Sequence, residues 1–235
     1  MHKLSLYFLF SLMFLPLMSQ THRVYFMPGF GADERSFQYL KLDSRLEPVY
    51  IRYLPIEKKE TIEAYARRLA VQIDTTQPFS LVGVSLGGML AIEMGKFLHP
   101  ERIVVIASAK TEAEVAPRYH LLRYLPLHQI MGDKVTRVLS PLGRRLFEPE
   151  GLPWEPLYRQ MIRDKPPHFL KRSVHMISRW KNSEYRSDVI HIHGKKDHTL
   201  PLKHIRSCEY VMENGGHMMI ITCAEEISRI LGEVL

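Results

Sequence analysis

Phe79-Ser80-Leu81-Val82-Gly83-Val84-Ser85-Leu86-Gly87-Gly88 is the stretch from which the rest of the chain is read. Phe79 to Val84 is apolar with no polar alternation beyond Ser80, the pattern of a short strand buried on both faces. Leu86 to about Leu98 reads as a helix that follows with no spacer. Between them stands one serine, with Gly83 and Gly87 two positions away on either side. A chain that turns from strand to helix this sharply leaves no room for a Cβ at those flanks. Gly88 lets the helix start close to the strand, and the turn lifts Ser85 to the carboxyl edge of the sheet, where open α/β folds bind ligands. The same spacing also serves a purely structural turn with an idle serine. The strand before it and the helix after it make Ser85 a nucleophile candidate.

Working outward, Arg23 to Met27 reads as a strand and Pro28-Gly29-Phe30-Gly31 as a tight loop after it. Pro48 to Tyr53 is expected to be a second short strand. Thr61 is placed to cap a helix running to about Ile73, with Ile62, Tyr65, Ala66, Leu69 and Ile73 at helical spacing. Further strands are expected at Arg102 to Ala107, Val189 to His193 and Ser207 to Met212, and a closing helix at Cys223 to Leu235. Strands alternating with helices over short connections imply an α/β fold with a mostly parallel central sheet of about six strands, flanked by helices. From about residue 108 to 187 no strand is evident, and Pro117, Pro126, Pro141, Pro149, Pro153, Pro156, Pro166 and Pro167 punctuate helical stretches. This is expected to be a helical lid inserted into a single domain spanning 20–235.

A serine hydroxyl is a weak nucleophile near neutral pH and needs an adjacent base, a group that orients the base, and donors for the oxyanion. His217, in Asn214-Gly215-Gly216-His217, falls between the last expected strand and the last helix and is the candidate base. Its bland alternative is a loop histidine packing on that helix. Asp197 closes His193-Gly194-Lys195-Lys196-Asp197 just past a strand and is the candidate orienting carboxylate. Its alternative is a cap on the helix near Pro201. Glu112 and Glu114 compete for the role, but no acid stands immediately after the strand that ends at Ala107. The Leu86 and Phe30 backbone N–H groups are the candidate oxyanion donors. His191 and His193 share one face of a strand, yet no further ligands suggest a metal site, and His198 and His204 are expected at the surface. Trp154 and Trp180 are expected to pack the insertion.

At this point the chain resembles the α/β-hydrolase family. The resemblance rests on the elbow Gly83 to Gly87, the loop Pro28 to Gly31, the His193-Gly194-x-x-Asp197 segment and the Gly216-His217 pair, and it covers about Arg23 to Leu235. The order Ser85, Asp197, His217 is the family's own, and the 108–187 stretch stands where the family carries its variable lid. The resemblance implies a small serine esterase that cleaves a carboxylic ester or thioester through an acyl-enzyme. It implies no cofactor, a small-molecule substrate and no obligate protein partner. An acyltransferase with the same three residues, or a receptor that kept the fold without turnover, stays open. Two departures are visible: Pro28-Gly29 stands where the family often has His-Gly, and six strands are counted against eight in the full pattern.

The chain has 235 residues, 46% hydrophobic and 24% charged, an ordinary globular composition. Its net charge of +7 is concentrated: Lys110 to Arg186 holds 15 Lys/Arg against 8 Asp/Glu, and the remainder balances at 17 against 17. Such an excess serves a solvated helical face or attracts an anion, and no basic-aromatic motif for nucleic acid accompanies it. Cys208 and Cys223 have no metal-ligand spacing and are expected to be buried small hydrophobes, with a disulfide as the alternative. Met1-His2-Lys3 followed by the apolar run Leu4 to Met18 and Ser19 resembles a secretory signal. The expectation is export or membrane association through residues 4–18, against a cytoplasmic protein starting at Met18. The run is shorter than the ~20 apolar residues of a membrane span.

Overall fold

The computed structural model of the protein describes residues 21–124, 154–166 and 168–235. The strands are β1 (His22–Met27), β2 (Leu46–Tyr50), β3 (Phe79–Val84), β4 (Arg102–Ile106), β5 (Ile190–Gly194) and β6 (Tyr210–Met212). They form one sheet in the order β2-β1-β3-β4-β5-β6, and every neighbouring pair is parallel. The helices are α1 (Ile62–Leu69), α2 (Leu86–Met94), α3 (Pro117–Tyr124), α4 (Glu155–Asp164), α5 (Phe169–Arg179), α6 (Met219–Thr222) and α7 (Ala224–Val234). The expected signal-like segment and residues 4–18 lie outside the described residues, as do 125–153 of the expected lid. Among the described residues no helix is long and apolar enough to cross a membrane.

Alternation along the strands divides the core into two layers, because successive side chains point to opposite faces. Tyr25, Met27, Leu81 and Val105 face one layer, which α1, α2, α4 and α5 cover with Tyr65, Leu69, Leu90, Met161, Ile162 and Leu170. Val24, Phe26, Val82, Val84, Val104 and Ile106 face the other, filled by Phe37 and by Ile227, Ile230 and Leu231 of α7. β3 lies between β1 and β4 and is buried along its whole length, which accounts for its unbroken apolar sequence. α1 begins where Thr61 accepts the Ala64 N–H at 3.2 Å.

Several boundaries differ from expectation. β2 begins at Leu46 and ends at Tyr50, earlier than Pro48 to Tyr53. It is an edge strand paired only to β1, so Pro48 inside it forfeits nothing on its open side. α2 ends at Met94 instead of about Leu98, with Gly95 as its C-terminal cap. β6 is reduced to Tyr210–Met212. Cys208 and Cys223 are free thiols and only half-buried, not the buried pair expected. Trp180 does not serve the insertion alone: its indole N–H donates to Glu93 Oε1 on α2 at 2.7 Å in the core. His198 is exposed as expected, whereas His204 is half-buried.

Candidate active site

Because all strands are parallel, the loops after β1, β3, β5 and β6 leave the sheet at the same edge. Ser85 follows β3, and its backbone has φ 53° and ψ −117°, a conformation a side-chain-bearing residue adopts at a cost of about 1–3 kcal/mol. The surroundings hold it there. Ser85 N–H donates to Ile106 O at 3.0 Å, and buried Ser108 donates from Oγ to Ser85 O at 2.7 Å. A Cβ on Gly83 would stand 2.2 Å from Gly87 O, and one on Gly87 would stand 2.1 Å from Met27 O. Both contacts are to backbone, so the glycines of the motif are a steric requirement of the elbow.

His217 reaches the same edge from the loop after β6. Its Nε2 lies 2.9 Å from Ser85 Oγ and its Nδ1 lies 2.8 Å from Asp197 Oδ2. Asp197, only 3% exposed, comes from the turn after β5, and its Oδ1 accepts the Leu200 N–H at 2.7 Å. A buried carboxylate with both oxygens engaged has one orientation open to it. The acid and histidine loops are laced together: Lys195 N–H donates to Met212 O and Lys196 N–H to Gly215 O, each at 2.9 Å. A Cβ on Gly194 would stand 2.2 Å from Gly215 O, so this close approach depends on glycine.

The competing acids are elsewhere. Glu114 is buried against Lys110, accepting its backbone N–H at 2.7 Å, and Glu112 gives its carbonyl to His120 at 3.1 Å. The loop Pro28 to Gly31 sits against the elbow, where a Cβ on Gly29 would lie 3.4 Å from Ser85 Cβ. Ala32 N–H closes its turn on Gly29 O at 3.1 Å, and Gly31 supplies φ 69°. Two phenols brace it: Tyr53 donates to Pro28 O at 2.5 Å, and Tyr158 of α4 donates to Phe30 O at 3.2 Å. Leu86 opens α2, so its N–H has no acceptor within the helix. Tyr53, Tyr158 and Ser108 carried no motif that marked them in advance. Ser108 had one local cue, its place two residues past the end of the strand beside the elbow.

Many solved structures share this fold. A thermophilic esterase from Thermogutta terrifontis superimposes with a TM-score of 0.70 at 16% identity, over 90% of this chain and 88% of that one. An esterase from Exiguobacterium antarcticum gives 0.68 at 18% identity, covering 90% and 91%. A lipase-esterase related protein from Clostridium acetobutylicum ATCC 824 gives 0.66 at 14% identity, covering 92% and 95%. No curated protein sequence matches the chain. The sequence model of the alpha/beta hydrolase family matches residues 8–230.

Proposed function

The chain belongs to the alpha/beta hydrolase family, and from that premise we propose that it is a serine hydrolase cleaving carboxylic esters or thioesters through Ser85, His217 and Asp197. One observation carries the reading: a single imidazole spans the Ser85 hydroxyl at 2.9 Å and the Asp197 carboxylate at 2.8 Å. With Asp197 as the acceptor at Nδ1, His217 keeps its free lone pair at Nε2, facing the hydroxyl.

Each step follows from that arrangement. His217 Nε2 takes the proton of Ser85 as Oγ bonds to the substrate carbonyl carbon, and the carbonyl oxygen becomes an oxyanion. The N–H groups of Phe30 and Leu86 are its proposed donors. The imidazolium, stabilised by Asp197, then passes its proton to the departing alkoxide or thiolate as the bond to carbon breaks. Water gives a proton to His217 as its oxygen bonds to the acyl carbon, and His217 returns that proton to Ser85 Oγ as the acyl C–Oγ bond breaks, releasing the acid and free Ser85. The backbone at the elbow is held before substrate arrives, so little reorganisation is required as charge develops. That solved structures sharing this fold are esterases supports the same reaction class.

The test is a panel of p-nitrophenyl esters and acyl thioesters of rising chain length, run on wild type beside Ser85→Ala. Hydrolysis that disappears in Ser85→Ala is expected. Folded wild type that hydrolyses none of them overturns the proposal, and consumption only when a second alcohol or amine is supplied makes the protein an acyltransferase.

A further inference from the structure

Behind Asp197 runs a line of polar side chains that ester hydrolysis by itself does not call for. Lys110 Nζ lies 2.9 Å from His191 Nδ1, and His191 Nε2 lies 3.0 Å from His193 Nδ1. His193 Nε2 lies 2.7 Å from Leu200 O and 3.5 Å from Asp197 Oδ2. Lys110 is 1% exposed and both histidines are 0% exposed. Leu200 completes the line, because its N–H is the donor to Asp197 Oδ1 at 2.7 Å. Counted from Ser85, an unbroken path runs through His217, Asp197, Leu200, His193 and His191 to Lys110.

The path has a direction. As an ammonium, a lysine has three N–H donors and no acceptor. Lys110 Nζ meets three acceptors: His191 Nδ1, Ser207 O at 2.6 Å and Glu114 Oε1 at 3.4 Å. His191 Nδ1 must therefore accept, which puts its proton on Nε2. His193 Nδ1 must accept from that proton in turn, which puts the proton of His193 on Nε2, facing Leu200 O. The two rings have this freedom because burial, above all, holds both below the ordinary imidazole value, so each is neutral with one donor and one acceptor.

We propose that His193 is a positioning residue for the Ser85–His217–Asp197 group. Lys110 and His191 set it as the Nε2–H tautomer, and its Nε2–H holds the Leu200 carbonyl, one Cα away from the Leu200 N–H that orients the Asp197 carboxylate. Without that bond the Leu200 carbonyl loses its ring donor in the core, and the Leu200 backbone shifts about its Cα to find another. That shift moves the adjoining Leu200 N–H off Oδ1, and Oδ2 loses its fixed aim at His217. A buried polar line of this length is costly unless every member is paired, and here every nitrogen of the line has its partner. The inference rests on reading Ser85, His217 and Asp197 as the catalytic group.

The first test needs only the wild-type protein labelled with ¹⁵N-histidine. Nitrogen shifts showing Nε2–H in both His191 and His193 are expected, and Nδ1–H in either overturns the inference. The second compares His193→Phe, which keeps a ring and loses both nitrogens, with His193→Gln, which offers a donor and an acceptor. His193→Phe is expected to lower kcat about 10–100-fold with KM changed by less than about 3-fold, since it displaces the acid without touching substrate. The far-downfield proton NMR signal of the His217–Asp197 bond should vanish in His193→Phe and return, with most of kcat, in His193→Gln. A folded His193→Phe with wild-type kcat and an intact signal overturns the inference. If that variant does not fold, His191→Phe reads the same point by releasing the tautomer of His193, and unchanged kcat and signal there overturn it. A wild type that turns over no ester defeats the proposed function alone, because the nitrogen shifts and the downfield proton still decide the role of His193.

Discussion

Gly87→Ala puts the elbow geometry to a quantitative test. On propensity alone the change should help, because Gly87 lies inside α2, where alanine is favoured over glycine by about 1 kcal/mol. Sterics oppose it. The new Cβ would stand 2.1 Å from Met27 O, 2.6 Å from Met27 C and 2.7 Å from Pro28 O, whereas ordinary contact begins at 3.4 Å. The shortfall is about 1.3 Å at its worst and is against backbone only. β1 is held by β2 on one side and β3 on the other, so the start of α2 must yield, carrying Ser85 and Leu86 with it. A displacement of about 1 Å takes Ser85 Oγ out of hydrogen-bond range of His217 Nε2, now at 2.9 Å. The expected cost is about 10²-fold in kcat and about 1–3 kcal/mol in stability, with the overpacking outweighing the propensity gain. Ester turnover and urea unfolding measured on the same preparation read both quantities. A folded Gly87→Ala with wild-type kcat and midpoint would refute the steric argument.

Gly232→Ala is the matched opposite, since nothing lies within 4 Å of the added Cβ inside α7. It should gain about 0.5–1 kcal/mol in urea unfolding without altering turnover, and a loss would contradict this. Trp180→Phe leaves the buried Glu93 Oε1 without its indole donor. It should cost about 1–3 kcal/mol by the same assay with kcat unchanged, whereas no loss would mean the bond contributes nothing net. Burial pushes the Asp33 carboxyl up, but hydrogen bonds and charge from Arg35 and Lys165 outweigh it and hold it below the ordinary 3.8. A depressed carboxylate stabilises above its unfolded value and stops doing so as pH falls through the folded one. Asp33→Asn should therefore flatten the stability–pH curve below about pH 4 and nowhere else. His191 and His193 are held below 6.5, so the native protein takes up fewer protons than the unfolded chain as pH drops. The urea midpoint should fall from about pH 7 to about pH 5, and a flat or rising midpoint would contradict neutral burial of the two rings.

The parts of the fold visible in the sequence are those set by local pattern. β3 matches its expected bounds because a strand buried on both faces has a distinctive apolar run, and the elbow ends it abruptly. Thr61 was readable as a cap because its acceptor role is confined to three residues. β2 was displaced because an edge strand has one partner and little burial: Glu47, Pro48 and Tyr50 are exposed, and the apolar Ile51 and Tyr53 that suggested a later strand pack beyond it. Ser85 is a candidate from its glycine-flanked elbow, and Asp197 and His217 from their segments, their order after it and loop positions that a parallel sheet sends to one edge. Their separation of a few ångströms was not readable, because it depends on glycine contacts such as Gly194 with Gly215. The line through Lys110 was invisible for the same reason. Two histidines on one face of a strand could be seen, but the amine that sets their tautomers stands 81 residues before the first of them.

A fluorophosphonate that bonds to an activated serine, followed by peptide mass analysis, tests the central claim most directly. The account predicts a single adduct on Ser85, lost in His217→Ala although that variant keeps the hydroxyl. An unlabelled Ser85 in folded wild type, or equal labelling in His217→Ala, would contradict the claim that His217 activates this serine.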